Sequence, residues 1–321
     1  MNENENDILL EVENLKTWFT VGSSKVRAVD DVSFQLRRGE ILGVVGESGC
    51  GKSTLGRTVL RLEQKTSGSV KVYDTDPFKL NKDELKHFRQ RASMVFQDPS
   101  SSLNPRKRID QLLRQPLRVH GIGNSTDWDE KVDAILSETG IASQYKNRYP
   151  HQFSGGQKQR IGVARSLMLD PDFIVMDEAV SALDVSIQAQ ILNLLLDLKD
   201  QRNLTYLFIS HDLAVVEFVS NRILVMYLGR IVEEAETSII TGKALHPYTQ
   251  ALMKAFPTTD LSTRGTSISP IEGDVPSPIN PPPGCHFAPR CPQAMDRCHK
   301  EYPPMVEISK GHRVACWLHV K

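Results

Sequence analysis

The chain has 321 residues, with 39 lysines and arginines against 39 aspartates and glutamates, so its formal net charge at pH 7 is zero. That balance argues against nucleic acid as a partner, and the length suits one large domain with an appendage. The polar, acidic start MNENENDILL lacks the positive charge and apolar core of a secretory signal, and no run approaches the roughly 20 apolar residues a bilayer span needs, which predicts a soluble or peripheral cytosolic protein.

Over the first two-thirds, β-rich and helical segments alternate, the pattern of an α/β domain. Predicted strands are ILLEVENL, VDDVSFQL, EILGVVG, SVKVY, SMVFQ, FIVMDE, TYLFIS and, as one long strand, RILVMYLGRIVEE. The buried ones read as short apolar runs rich in β-branched residues, as central parallel strands do. Helices are expected to begin at Lys52, Asp83, Ser154, Ser186 and Asp212.

The strand EILGVV leads into GESGCGKST, Gly46 to Thr54, which fits G-x-x-x-x-G-K-[ST] in the required strand–loop–helix setting. Gly46, Gly49 and Gly51 let backbone amides approach phosphate oxygens with no Cβ in the way. Ser48 and Thr54 complete the loop. Lys52 would reach the β- and γ-phosphates, and Ser53 would ligate Mg²⁺. Further on, Gln97 ends the predicted strand SMVFQ, where a neutral amide can touch both Mg²⁺ and water. Residues 98–153 then break the alternation: after the polar turn DPSSSLNPR come helical periodicities in IDQLLRQPLRVHG and DWDEKVDAILSETG. This is read as a helical insertion, the core of a subdomain at about 98–165.

The insertion closes on QFSGGQKQR, in which Ser154, Gly155, Gly156 and Gln157 open a helix. A serine and two glycines there can be a plain N-cap. They can equally hold an anion against backbone amides, although the chain already carries one phosphate cradle. FIVMDE follows. Its apolar residues bury a strand and deliver Asp177 and Glu178 at the carboxyl end, where open α/β sheets place ligands. Asp177 is placed to hold Mg²⁺ through its water shell. Glu178, on the opposite face of the strand, can address the water that attacks the γ-phosphate. His211 ends TYLFIS, where an imidazole could hydrogen-bond the γ-phosphate and hold that water in line with Glu178.

From Pro257 to Gly284 the composition turns to Ser, Thr, Pro and Gly, which is linker chemistry, and residues 285–321 form a small cysteine-rich extension after the main body at 1–256. Cys285, Cys291, Cys298 and Cys316 lack the C-x-x-C pairs of a zinc ribbon. Four thiolates in a loop-rich segment could hold a [4Fe–4S] cluster. Histidines 286, 299, 312 and 319 keep zinc open, and four unliganded reduced cysteines are the plain alternative.

The ordered set GESGCGKST, Gln97, FSGGQ, FIVMDE, SALD and His211 resembles an ABC-type ATPase over roughly residues 8–240. The resemblance implies a P-loop NTPase fold of the ABC-type nucleotide-binding domain, with a helical subdomain. It also implies MgATP hydrolysis, with Glu178, Gln97 and His211 as catalytic residues. FSGGQ resembles the ABC signature, so Ser154 to Gln157 are expected to cover ATP bound by another copy of the domain. SALD, with Ser181 and Asp184, would line the same joint. Phe19, or else Trp18, is expected to stack on adenine. One departure is Ala179, where this subfamily usually has proline after the catalytic glutamate.

VVGESGCGKSTLGRTVLRL, VFQDPSSSLNPR, YPHQFSGGQKQRIGVARSL, SALDVSIQAQILNLL, HPYTQAL and the cysteine tail together resemble the ATPase subunits of oligopeptide and dipeptide importers, over nearly the whole chain. GRTVLRLE and SSLNPR are most similar to the second of their two ATPase subunits. The resemblance implies a heterodimer with a sibling ATPase, two membrane permeases and an external substrate-binding protein. It places the chain at the cytoplasmic face of the membrane and implies a [4Fe–4S] cluster in the cysteine region. Importers of nickel, glutathione or another small solute share this chemistry. A soluble ABC protein remodelling DNA or ribosomes is the alternative of another class, disfavoured by the absence of coiled coils and of a second fused ATPase domain.

Overall fold

The structure is a computed structural model that describes residues 7–98, 102–255 and 273–320. Its strands, in chain order, are β1 (Ile8–Val21), β2 (Ser24–Arg37), β3 (Ile41–Val45), β4 (Ser67–Val72), β5 (Ala92–Val95), β6 (Phe173–Asp177), β7 (Thr205–Ser210), β8 (Arg222–Tyr227), β9 (Arg230–Glu236), β10 (Val306–Ser309) and β11 (His312–Val314). Helices begin at Lys52, Lys82, Gly155, Val185 and Leu213, within one residue of the expected starts. The chain forms two compact units, one mainly of residues 76–209, the other of 8–36, 41–75 and 210–321.

In the first unit β5, β6 and β7 run parallel, with Met94 opposite Val175 and Val175 opposite Leu207. Every residue of β6 and β7 is buried. Only strands covered on both faces achieve this, and it explains why both read as unbroken apolar runs. The helix Gly155–Leu167 packs on β5 and against the helices Ile109–His120, Ser125–Glu138 and Val185–Arg202. The first of these stops at Gly121, whose φ of 69° suits glycine. Asn124 starts the next, its side chain accepting from the Thr126 and Asp127 amides. Two of the three helices thus fall in the stretch read as an insertion.

In the second unit β3 runs parallel to β8, and β8, β9, β11 and β10 follow as antiparallel neighbours. RILVMYLGRIVEE, expected as one strand, is a hairpin. Leu228 and Gly229 take positive φ values of 42° and 83° and reverse the chain, as a two-residue hairpin loop requires. A separate three-stranded sheet has the order β2-β1-β4, with β1 and β4 antiparallel. The cysteine-rich extension adds β10 and β11 at the β9 edge. Of the expected linker, 257–272 lies outside the described residues, and 273–284 contains neither helix nor strand. Among the described residues no helix is long and apolar enough to cross a membrane.

Candidate functional site

The phosphate-type loop connects β3 to the helix Lys52–Val59 in the second unit. Gly49 and Gly51 have φ values of 80° and 105°, a region where a side chain is strained. A Cβ on Gly51 would lie 1.9 Å from the Ala28 carbonyl oxygen, and one on Gly46 would lie 2.1 Å from that of Met226. Gly51 is therefore fixed by packing and by conformation, Gly46 by packing and Gly49 by conformation. Lys52 is 4% exposed, and its Nζ donates to the carbonyls of Gly46 (2.8 Å) and Glu47 (3.0 Å). Thus the ammonium lies across the mouth of its own loop. Cys50 beneath it is buried, and burial pushes its thiol pKa up while Lys52 offsets part of the shift.

Asp177 is the fully buried last residue of β6 in the first unit. Glu178 was expected on the opposite face of the same strand, and this needs correction. The strand has ended, and Glu178 sits at φ 48° with its amide donating 2.9 Å to the Ile209 carbonyl. Backbone geometry, and not strand alternation, aims this carboxylate. A left-handed non-glycine residue costs about 1–2 kcal/mol, and here it is held by its surroundings. The Ser181 amide and Oγ both donate to the Glu178 carbonyl, at 3.2 and 3.0 Å. Gln97, expected at a strand end, stands two residues beyond Val95 and donates its Nε2 to Glu178 Oε2 at 2.8 Å. The structure thus joins Gln97, Glu178 and Ser181 in one hydrogen-bonded group.

Ser154 is the N-cap of the helix Gly155–Leu167. Its Oγ accepts from the Gln157 amide at 3.3 Å, and the Gln157 side chain accepts from the Ser154 amide at 3.0 Å. The local chemistry is a complete capping box. Ser154 and Gly155 are nevertheless exposed, so this helix start faces solvent. A Cβ on Gly156 would come 2.5 Å from Ile187 Cγ2, which gives this glycine a packing reason of its own. Asp184 occupies the N-cap position of the helix Val185–Arg202 without bonding its amides through the side chain. Val185 beside it is 82% exposed, an unusual place for a large aliphatic residue. His211, in the second unit, directly follows β7 and is exposed.

Phe19 and Trp18 differ. Phe19 is 36% exposed. The Trp18 ring is flanked by Lys16, Lys25 and Arg27 within 5.9 Å, and its Nε1 donates to Asp30. Phe19 is the one with an open face.

The four tail cysteines line a single tight pocket, of about 10 Å³, with His246, Phe287 and Trp317. Burial raises the Cys285 thiol to about 11 and lowers His246 to about 3, so the free thiol and the neutral imidazole are the stable forms at pH 7. Three of the four tail histidines are engaged elsewhere. His286 bonds the Leu228 carbonyl, His312 the Glu233 carboxylate and His319 the Leu245 carbonyl. Among the described residues no three His, Cys, Asp or Glu side chains are arranged around one metal-ion position, so neither a zinc site nor an iron–sulfur site is ready-made there.

Three side chains that motif reading missed hold these parts. Arg165 Nη1 donates to the Ser102 carbonyl at 2.7 Å, tying the Gly155–Leu167 helix to the start of the insertion. Tyr248 OH accepts the Glu47 amide, and the Arg290 guanidinium grips the Glu47 carboxylate. Tyr248 lies in HPYTQAL, a stretch visible in the sequence without a contact to explain it.

Residues 29–181 match the ABC transporter family, and residues 232–298 match the oligopeptide/dipeptide transporter C-terminal region. The chain is 50% identical over 317 residues to a probable peptide ABC transporter ATP-binding protein, y4tS, of Sinorhizobium fredii, covering 97% of this chain and 90% of that one. It is 46% identical to the oligopeptide transport ATP-binding protein AppF of Bacillus subtilis, covering 98% of both. Among solved structures, a dimeric ATP-binding cassette, MJ0796, in a post-hydrolysis state bound to ADP and Pi, matches with a TM-score of 0.66. It is 27% identical and spans 71% of this chain and 99% of that one.

Proposed function

The chain belongs to the ATP-binding subunits of peptide-type ABC transporters, and from that premise we propose how its residues divide the work. Its fold is that of the P-loop ABC cassette, and it is an ATPase coupled to transport of peptides or oligopeptides. The observation that carries the reading of the site is the phosphate loop, with buried Lys52 and left-handed Gly49 and Gly51 at the start of a helix. Gly46, Ser48 and Thr54 complete the loop around the phosphates, and Lys52 leaves its carbonyls to pair with the β- and γ-oxygens. Phe19 stacks on adenine, supported by its exposed ring.

Ser53, Gln97 and Asp177 offer a hydroxyl, an amide oxygen and a carboxylate, the hard oxygen donors that Mg²⁺ takes. When bound, Mg²⁺ neutralises charge on the phosphates. Glu178 accepts the proton of the attacking water, Gln97 holds the Glu178 carboxylate, and His211 orients the γ-phosphate. Catalysis is then chiefly positioning and charge stabilisation.

Ser154, Gly155, Gly156 and Gln157 serve a nucleotide held by a partner ATPase. An exposed helix start, together with exposed Asp184 and Val185 and half-buried Ser181 after β6, supports a joint between two such domains. The partner is a sibling ATPase, since GRTVLRLE and SSLNPR resemble the second subunit of a pair. The pair sits on two membrane permeases at the cytoplasmic face, fed by an external substrate-binding protein. The match to the oligopeptide/dipeptide C-terminal region favours peptides over nickel or glutathione. Purification of the chain from membranes is the test. It should bring down a second ATPase and two permeases; recovery with nucleic acid and no permease would overturn this assignment.

Cys285, Cys291, Cys298 and Cys316 would be the thiolates of a [4Fe–4S] cluster, and they would have to draw together to hold it, since among the described residues no three of them surround one metal-ion position. The support is that all four line one pocket, beside His246, while His286, His312 and His319 are bonded elsewhere. Thiolates buried there need a positive group to be stable. Anaerobically purified protein should contain about four irons and four sulfides per chain. A folded tail free of both would end this part of the proposal.

A further inference from the structure

The carboxyl-terminal segment reaches the phosphate loop. Glu47, the second residue of GESGCGKST, is held at two points from more than 200 positions away. Its amide donates to Tyr248 OH at 2.9 Å. Its carboxylate takes a two-pronged bond from Arg290, with Nη1 to Oε2 at 2.8 Å and Nη2 to Oε1 at 3.1 Å. The side chain of Arg290 is 4% exposed and that of Glu47 25%, so the pair is largely withdrawn from water. Such a pair is coupled far more strongly than a surface one, and losing one partner strands the other.

Both anchors are rigid. Tyr248 is fully buried, with ring centroids 4.6 Å from Tyr227 and 5.4 Å from Phe287. Arg290 ends the short turn Ala288–Arg290 between Cys285 and Cys291, and Tyr227 OH lies 3.3 Å from its Nη1. The turn is fixed in place: the Ala288 amide donates to the Cys285 carbonyl, and the Cys285 amide to the Cys298 carbonyl. The carbonyl of the same Glu47 accepts from Lys52 Nζ at 3.0 Å. Glu47 therefore joins the tail to the lysine of the loop.

We propose that Arg290 and Tyr248 are positioning residues for nucleotide binding. Arg290 neutralises the Glu47 carboxylate, which would otherwise repel the polyphosphate, and Tyr248 fixes the loop's entry. This rests on the reading of Gly46–Thr54 as the phosphate site. The charge argument has a sign that a merely structural contact lacks. Removing Arg290 leaves an uncompensated anion beside the phosphates, and removing the Glu47 charge as well cancels it.

The test is equilibrium binding of MgATP to the purified full chain, with kcat and KM measured in the assembled transporter. Arg290→Gln should weaken binding about tenfold and raise KM with kcat little changed, the pattern of lost ground-state binding. With Glu47→Gln measured as the other corner of the cycle, Glu47→Gln/Arg290→Gln should recover most of the loss of Arg290→Gln, a strongly non-additive pair. Arg290→Lys, which keeps the charge without the fork, should fall within about threefold of wild type and covers the case in which Arg290→Gln does not fold. Arg290→Gln binding within twofold of wild type, a double variant as weak as the single, or Arg290→Lys as weak as Arg290→Gln would each overturn the proposal. A wild-type chain without MgATP affinity would instead remove the phosphate-site reading beneath it.

Discussion

Glu178→Gln should lower ATP hydrolysis by about 10²- to 10⁴-fold, the usual contribution of a general base, while MgATP affinity stays within about twofold of wild type. The reasoning is geometric. The substitution keeps the side chain's length and its contact with Gln97 Nε2, 2.8 Å away in the native protein, and leaves the backbone bond from the Glu178 amide to the Ile209 carbonyl intact. What it removes is the site that takes the proton. Single-turnover hydrolysis by the assembled transporter reads the effect, with the melting temperature of the purified chain as control. Hydrolysis within tenfold of wild type would take Glu178 out of this role. A matching loss of affinity would make it a binding residue.

Ser154→Arg should cost about 100-fold in hydrolysis and leave the affinity of the same chain for MgATP unchanged. That split follows from the division of labour between two polypeptides. The helix start faces solvent, with Ser154 and Gly155 exposed, and in the proposed mechanism it serves the nucleotide of the partner. A long cation there fills the space that the partner's γ-phosphate would take. The lost capping bond to the Gln157 amide accounts for only about 1 kcal/mol of stability, too little to explain so large a fall. Ser154→Ala isolates this smaller effect. A Ser154→Arg chain that hydrolyses normally, or that loses its own MgATP binding in parallel, would contradict the split.

Much of the fold was legible because the strongest signals are local. The apolar runs of β3, β6 and β7 reflect strands buried on both faces, and the loop at Gly46–Thr54 carries its constraint in its glycines. The misses also have local physical causes. Leu228 adopts a left-handed conformation that its residue type does not advertise, so the hairpin between β8 and β9 looked like one strand. Glu178 leaves the sheet one residue earlier than its apolar lead-in suggests, and its direction comes from a positive φ that no alternation rule contains. Tyr248 and Arg290 meet Glu47 across 201 and 243 positions of sequence. No periodicity or motif spans such a distance, and the contact appears only once the chain is folded.

The claim on which the mechanism stands is that one chain supplies half of each ATP site. It is tested by the hydrolysis rate per chain of the purified protein held as a strict monomer, compared with the rate in the assembled transporter. The account predicts that the monomer binds MgATP but turns over at about 1% of the assembled rate or less, the scale of one lost set of charge-stabilising contacts. A monomer hydrolysing ATP at the assembled rate, and still doing so as Ser154→Arg, would contradict it.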